Sequence, residues 1–132
     1  MPLSDTHLKY LFAIRDAAAQ APDVSSRRIA GLLEVSKPSV ARILGVLMDK
    51  KLIVKAHYGK IYLTGRGAFT VRYYAALLEK TLAALPEYGF ALEEAEARAA
   101  ALALVAALPD GAYRAEYETL FGEPPAEHAG GE

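Results

Sequence analysis

The residues whose types and spacing could do chemistry crowd one short stretch: Ser36, Lys37, Pro38, Ser39 and Arg42. At a helical period they occupy the first turns of one helix, on the face opposite Val40, Ile43 and Leu47. A guanidinium fork bonds two acceptors on a guanine edge at once, and short hydroxyls beside a proline let that edge come close. The expected chemistry is the reading of base edges in the major groove of a duplex, with Arg42 as the base contact and Lys37 nearer the phosphates. Ser26, Arg27 and Arg28 open the preceding helix, where unpaired N–H groups and positive charge favour a phosphate, so a grip on the nucleic-acid backbone is expected there. His57, Tyr58 and Lys60 flank a turn, and a cation beside an aromatic at such a tip is expected to lie along a neighbouring groove.

Covalent chemistry is harder to build from this chain. There are no cysteines and three histidines, which leaves no thiolate, no disulfide and no nucleophile paired with a base. Gly65, Arg66 and Gly67 lack the spacing and the Lys-Ser/Thr ending of a phosphate loop. The chain is therefore expected not to be an enzyme.

Charge separates the 132 residues into unlike halves. Residues 1–80 hold 13 Lys and Arg against 6 Asp and Glu, a balance of +7; residues 81–132 hold 2 against 10, a balance of −8. A basic half joined to an acidic half implies a polyanion-binding part beside a part that must not bind polyanions.

The elements that position the candidate residues follow from periodicity and punctuation. A first helix is expected from Thr6 to about Ala19, broken by Pro22 and Asp23. Ser25 or Ser26 caps a second helix carrying Ile29, Leu32 and Leu33. Glu34 and Val35 make a tight connection, and Ser36 caps the third helix, with Pro38 in its first turn, where a missing N–H costs nothing. Residues 52–57 and 60–63 then read as two strands of a hairpin closed by a two-residue turn at Tyr58 and Gly59. Thr64 caps a fourth helix that Pro86 stops, Ala91 to Leu108 is a fifth, and Ala112 to about Phe121 a sixth. The fold expected is mainly α, a winged helix-turn-helix of three helices plus a β-hairpin followed by C-terminal dimerisation helices. Its parts are a DNA-binding domain over 1–64, a helical dimerisation region over 65–121 and a disordered tail over 122–132.

Over Ser25 to Gly67 the sequence also resembles the DNA-binding domain of the diphtheria toxin repressor family of metal-dependent regulators. The likeness rests on the IAxxLxVSxPSV run at Ile29 to Val40, KxLI at Lys50 to Ile53, the YG turn at Tyr58 and Gly59, and LTxxG at Leu63 to Gly67. One departure is Glu34, where many relatives have glycine in the turn; a non-glycine residue in a left-handed turn costs on the order of 1 kcal/mol. The resemblance implies acidic ligands near the start of the first helix, a His after the wing and a Glu/His cluster in the dimer helices. The aligned segments read Asp5, Thr6, His7 and Lys9, then Ala75, Ala76 and Leu77, then Ala101 to Val105, so the expectation is regulation without a divalent metal and with no cofactor.

Leu92, Ala99, Leu102, Val105 and Ala106 give the fifth helix a broad apolar surface, from which a homodimer is expected, and with it two reading helices about one turn of DNA apart on a near-palindromic operator. The function expected is that of a sequence-specific transcriptional regulator, a repressor, in the cytoplasm, with duplex DNA and a second copy as partners and no membrane. Two alternatives stand beside it. The winged helix could serve as a protein-interaction module, or the chain could be a small-molecule-responsive regulator of the multiple-antibiotic-resistance type, with Phe69, Tyr73 and Tyr74 lining a pocket.

Overall fold

In the computed structural model, which describes residues 3–127, the chain is mainly helical with one two-stranded antiparallel sheet. The order is α1 (Asp5–Gln20), α2 (Ser26–Leu33), α3 (Lys37–Asp49), β1 (Ile53–Lys55), β2 (Ile61–Leu63), α4 (Gly65–Ala84), α5 (Glu94–Ala107) and α6 (Gly111–Phe121). Serine and threonine hydroxyls start four of these helices by accepting orphan backbone N–H groups. Ser4 accepts from His7, Ser25 from Arg28, Ser36 from Ser39 and Thr64 from Gly67. Between α2 and α3 the chain reverses at Glu34, which sits in the left-handed region at φ 55 and ψ 50.

The core runs along α1, whose Leu8, Leu11 and Ile14 are buried together with Ile29 of α2, Val40, Ile43 and Leu47 of α3, and Ile53 and Ile61 of the hairpin. Each such side chain contributes about 1.5–3 kcal/mol through burial, enough to hold three short helices and a small sheet in one arrangement. The hairpin pairs Ile53 with Leu63, Val54 with Tyr62 and Lys55 with Ile61. On the far side of β2 the Ile61 N–H donates to the Val24 carbonyl at 2.9 Å, which ties the segment before α2 to the sheet.

The hairpin tip differs from the two-residue turn expected. Each strand has three residues, and residues 56–60 connect them through a single 3-10 turn, His57–Gly59. Tyr58 and Gly59 both have positive φ, 63 and 77, and the Ala56 N–H donates to the Lys60 carbonyl at 2.7 Å, so the last bonded pair encloses His57, Tyr58 and Gly59, one residue more than a two-residue turn. The fifth helix also starts later than expected, at Glu94 rather than Ala91. There the Glu96 carboxylate accepts the Glu93 N–H at 3.0 Å and fixes the first turn.

α5 packs on α1 and α4, and this divides the apolar surface from which dimerisation was expected. Ala101, Leu102 and Val105 are buried within the chain, while Leu92 and Leu104 stay exposed. Leu102 and Val105 thus belong to the intramolecular core, a correction to their expected place on a dimer surface. The C-terminal segment also differs from the disordered tail expected over 122–132. Glu123 pairs with Arg66 at 2.8 Å and with Lys51 at 3.7 Å, and Glu127 lies 3.6 Å from Arg114, so residues 122–127 lie along the body through ion pairs; residues 128–132 lie outside the described residues.

An aromatic cluster joins α4 to α6. Phe69 stacks on Tyr113 at 5.7 Å between centroids, and Tyr74, Tyr117 and Phe121 close around the pair. Thr70 Oγ1 donates to the Arg66 carbonyl at 2.8 Å, so the 2.8 Å bond between Thr70 and Tyr113 is donated by the phenol. Burial pushes the Tyr113 phenol up to about 12 and raises Tyr74 as well. Below about pH 10 both phenols are protonated in the folded and unfolded chain. Above it the unfolded chain ionises first, so stability falls with rising pH until the folded phenols ionise in turn. Urea unfolding is expected to give a free energy about 2 kcal/mol lower at about pH 11 than at about pH 9, and Tyr113→Phe is expected to remove about half of that difference. A pH dependence unchanged in Tyr113→Phe would contradict the assignment.

Among the described residues no helix is long and apolar enough to cross a membrane.

Candidate nucleic-acid interface

The N-terminal end of α3 is held out from the body by its own sequence. Val40, Ile43, Leu44 and Leu47 are buried against α1 and α2, and this rotates Ser36, Lys37, Pro38, Ala41 and Arg42 into solvent on the opposite face. Ser36 does two things at the cap: its Oγ accepts the Ser39 N–H at 3.3 Å and donates to Ser39 Oγ at 2.9 Å. The Ser39 hydroxyl proton is then left to seek another acceptor, from a half-buried position at the edge of the exposed face. Pro38 contributes no N–H, so the first turn presents few donors that need satisfying.

Arg42 is exposed, and its charge reaches Tyr10 of α1, where it offsets part of the rise that burial imposes on that phenol. Arg27 and Lys37 are exposed as well, and neither forms an ion pair with a described residue. Lys37, Arg42 and Arg27 therefore present positive charge from two consecutive helices that pack together.

The other expected contacts are distributed differently. Ser25, not Ser26, caps α2, and Ser26 is half-buried in the first helical position. Arg28, expected to grip phosphate, instead braces the loop before its own helix. Its guanidinium donates to the carbonyls of Ala21 and Asp23, each at 3.2 Å, and to Gln20 Oε1 at 3.4 Å. A guanidinium holding three acceptors of its own chain has little left for a phosphate, so Arg28 is a structural residue of the α1–α2 connection. At the hairpin, Tyr58 projects fully into solvent and His57 is exposed beside it, whereas Lys60 pairs with Asp23 at 3.0 Å, which raises its pKa. That pair is at the surface and open to competition by a stronger anion. Lys55, exposed at the end of β1, is a cation of the same edge that sequence reasoning passed over. Its position at the last paired residue of the strand was the available signal.

At the positions where the resemblance implies metal ligands, His7 is engaged otherwise and the aligned α5 residues carry no side-chain donor. His7 Nδ1 accepts the Ser4 N–H at 3.1 Å as part of the α1 cap, and Ala101, Leu102 and Val105 fill the α5 core positions with carbon. Among the described residues no three His, Asp or Glu side chains converge. The Phe69, Tyr73 and Tyr74 rings pack against Tyr113 at 5.7, 5.5 and 5.2 Å between centroids, and Phe69 and Tyr73, without Tyr74, also line an open cleft of about 360 Å³ together with Arg72, Leu77 and Lys80.

The chain is similar in fold to the crystal structure of a hypothetical protein from Sulfolobus solfataricus, with a TM-score of 0.63 and 18% identity over 96% of this chain and 98% of that one. No family model matches the chain, and no curated protein matches it.

Proposed function

We propose that the chain is a sequence-specific DNA-binding transcriptional regulator, a repressor, built on a winged helix-turn-helix. In this reading α2 and α3 form the helix-turn-helix, the β1–β2 hairpin is the wing, and Arg42 reads a base edge while Arg27, Lys37 and Lys55 hold phosphates. The observation that carries it is the exposure of Ser36, Lys37, Pro38 and Arg42 on one face of α3 while Val40, Ile43 and Leu47 of the same helix are buried. Had those first turns been packed inside, no duplex could reach them. The resemblance to the diphtheria toxin repressor family supports the same reading for residues 25–67. It is not carried over to metal control, because the aligned segments offer Asp5 and His7 without the further ligands that a site would need.

The regulator acts in the cytoplasm as a homodimer on a near-palindromic operator. Support for pairing comes from apolar side chains that the monomer leaves outside on its acidic half: Tyr88, Phe90, Leu92, Leu104, Leu108 and Leu120. The acidic charge of that half keeps it away from phosphates, which fits a surface facing a second copy rather than DNA.

Salt dependence tests the reading against a protein-interaction role. Affinity for a duplex is expected to fall linearly on a log–log plot against salt, with a slope of about −4 to −6 for a handful of phosphate contacts per dimer, measured by fluorescence anisotropy. A flat salt response, or no binding to duplexes at low salt, would contradict it.

A further inference from the structure

A second feature lies on the face where α5 crosses α1 and the end of α2. A cleft of about 480 Å³ opens there, with Phe12, Leu78 and Leu102 as its buried floor and the half-exposed Leu32 as one wall. Two cations stand at its rim, Lys9 from α1 and Arg98 from α5, both exposed and neither forming an ion pair or hydrogen bond with a described residue. The rim carboxylate, Asp16, is bonded to Arg15 at 2.9 Å. The volume is that of a small-molecule site, and its lining joins an apolar floor to a few charged side chains at the rim.

The geometry points to a binding site for a small organic anion, an apolar ring or chain seated against Phe12, Leu78 and Leu102 with its carboxylate or sulfonate held between Lys9 and Arg98. The apolar body gains by burial, and the anion finds two cations that no described group of this chain neutralises. The occupant touches Leu32 in the last turn of α2, one step before the Glu34 turn that aims α3, so occupancy is coupled to the orientation of the exposed face. That coupling rests on the DNA-binding reading, but occupancy does not.

Calorimetric titration of the full chain without DNA, using naphthoate and its uncharged counterpart naphthalenemethanol, tests the site. Naphthoate is expected to bind saturably, one per chain. Lys9→Gln with Arg98→Gln is expected to weaken naphthoate about tenfold and leave naphthalenemethanol unchanged. Ala99→Trp fills the cleft from an exposed position and is expected to abolish both without altering thermal unfolding. The proposal is overturned if naphthoate does not bind saturably, if Ala99→Trp leaves its binding intact, or if the charge-neutralising pair weakens both compounds alike. It is equally overturned if naphthoate is excluded and Ala99→Trp converts a dimer into a monomer, because the cleft is then an interface between copies. If naphthoate binds as predicted but no duplex is bound, the site stands and the regulatory reading falls.

Discussion

Gly67→Ala is expected to lower the stability of the chain by about 3 kcal/mol, although it adds a single methyl group. A Cβ on Gly67 would lie 1.9 Å from the Leu52 carbonyl oxygen and 2.9 Å from its carbon, both backbone atoms. Leu52 cannot simply withdraw. Its carbonyl accepts the Thr64 N–H at 3.0 Å, its N–H donates to the Leu47 carbonyl at 3.0 Å, and Thr64 Oγ1 holds the neighbouring Lys51 carbonyl at 2.7 Å. The methyl must therefore push the first turn of α4 away from the base of the hairpin. Gly31→Ala provides the contrast: nothing lies within 4 Å of the added carbon, and a gain of about 0.5–1 kcal/mol is expected from helix propensity. Urea unfolding of both variants checks the pair, and a Gly67→Ala loss no larger than about 0.5 kcal/mol would mean that α4 does not pack so closely on the hairpin.

Tyr117→Ala is expected to cost more, about 4 kcal/mol, because the ring is fully buried between Phe69, Tyr113 and Phe121. Its hydroxyl is another matter. Burial raises the phenol, and the nearby Arg66 cation offsets part of that rise. Yet neither Tyr117 Oη nor Arg66 Nε makes a hydrogen bond of good geometry with a described residue. The Arg66 side chain lies close enough to interact with the phenol but not in good hydrogen-bond geometry, so removing this buried hydroxyl relieves about as much desolvation penalty as it loses in contact, and Tyr117→Phe is expected to be neutral or stabilising by up to about 1 kcal/mol. Thermal or urea unfolding of the two variants separates ring from hydroxyl. A Tyr117→Phe loss above about 1 kcal/mol would mean that the hydroxyl is bonded in solution.

These two positions differ in how far the sequence announced them. Gly67 closes the LTxxG pattern, and the requirement behind that glycine becomes visible only when the Leu52 carbonyl is seen beneath it. The caps Ser36 and Thr64 were readable, and the second cap down to Ser25 or Ser26, because capping acts within three or four residues of chain, whereas the left-handed turn at Glu34 followed from the family resemblance. Arg28 was not: a basic residue at a helix start looks the same whether it faces a phosphate or folds back on Ala21 and Asp23, and the choice depends on the path of the preceding loop. The division of α5, with Leu102 inside and Leu104 outside, was hidden for a related reason. In a run of alanines and leucines nearly every face is apolar, so the periodicity does not say which side meets α1 and α4. The hairpin tip was misread because Tyr58-Gly59 has the composition of a two-residue turn, while the Ala56 to Lys60 bond sets a longer one.

The central claim is that the exposed end of α3 reads base pairs, and selection of bound duplexes from a random pool by the full chain tests it most directly. Enrichment of a near-palindrome whose half-sites are about 10 base pairs apart is expected. Arg42→Ala should lose preference at one position of each half-site at a cost of about 2 kcal/mol, while Arg27→Ala weakens all sequences alike. A pool that emerges without any enriched sequence, or Arg42→Ala and Arg27→Ala variants that behave identically on the winning duplex, would contradict it.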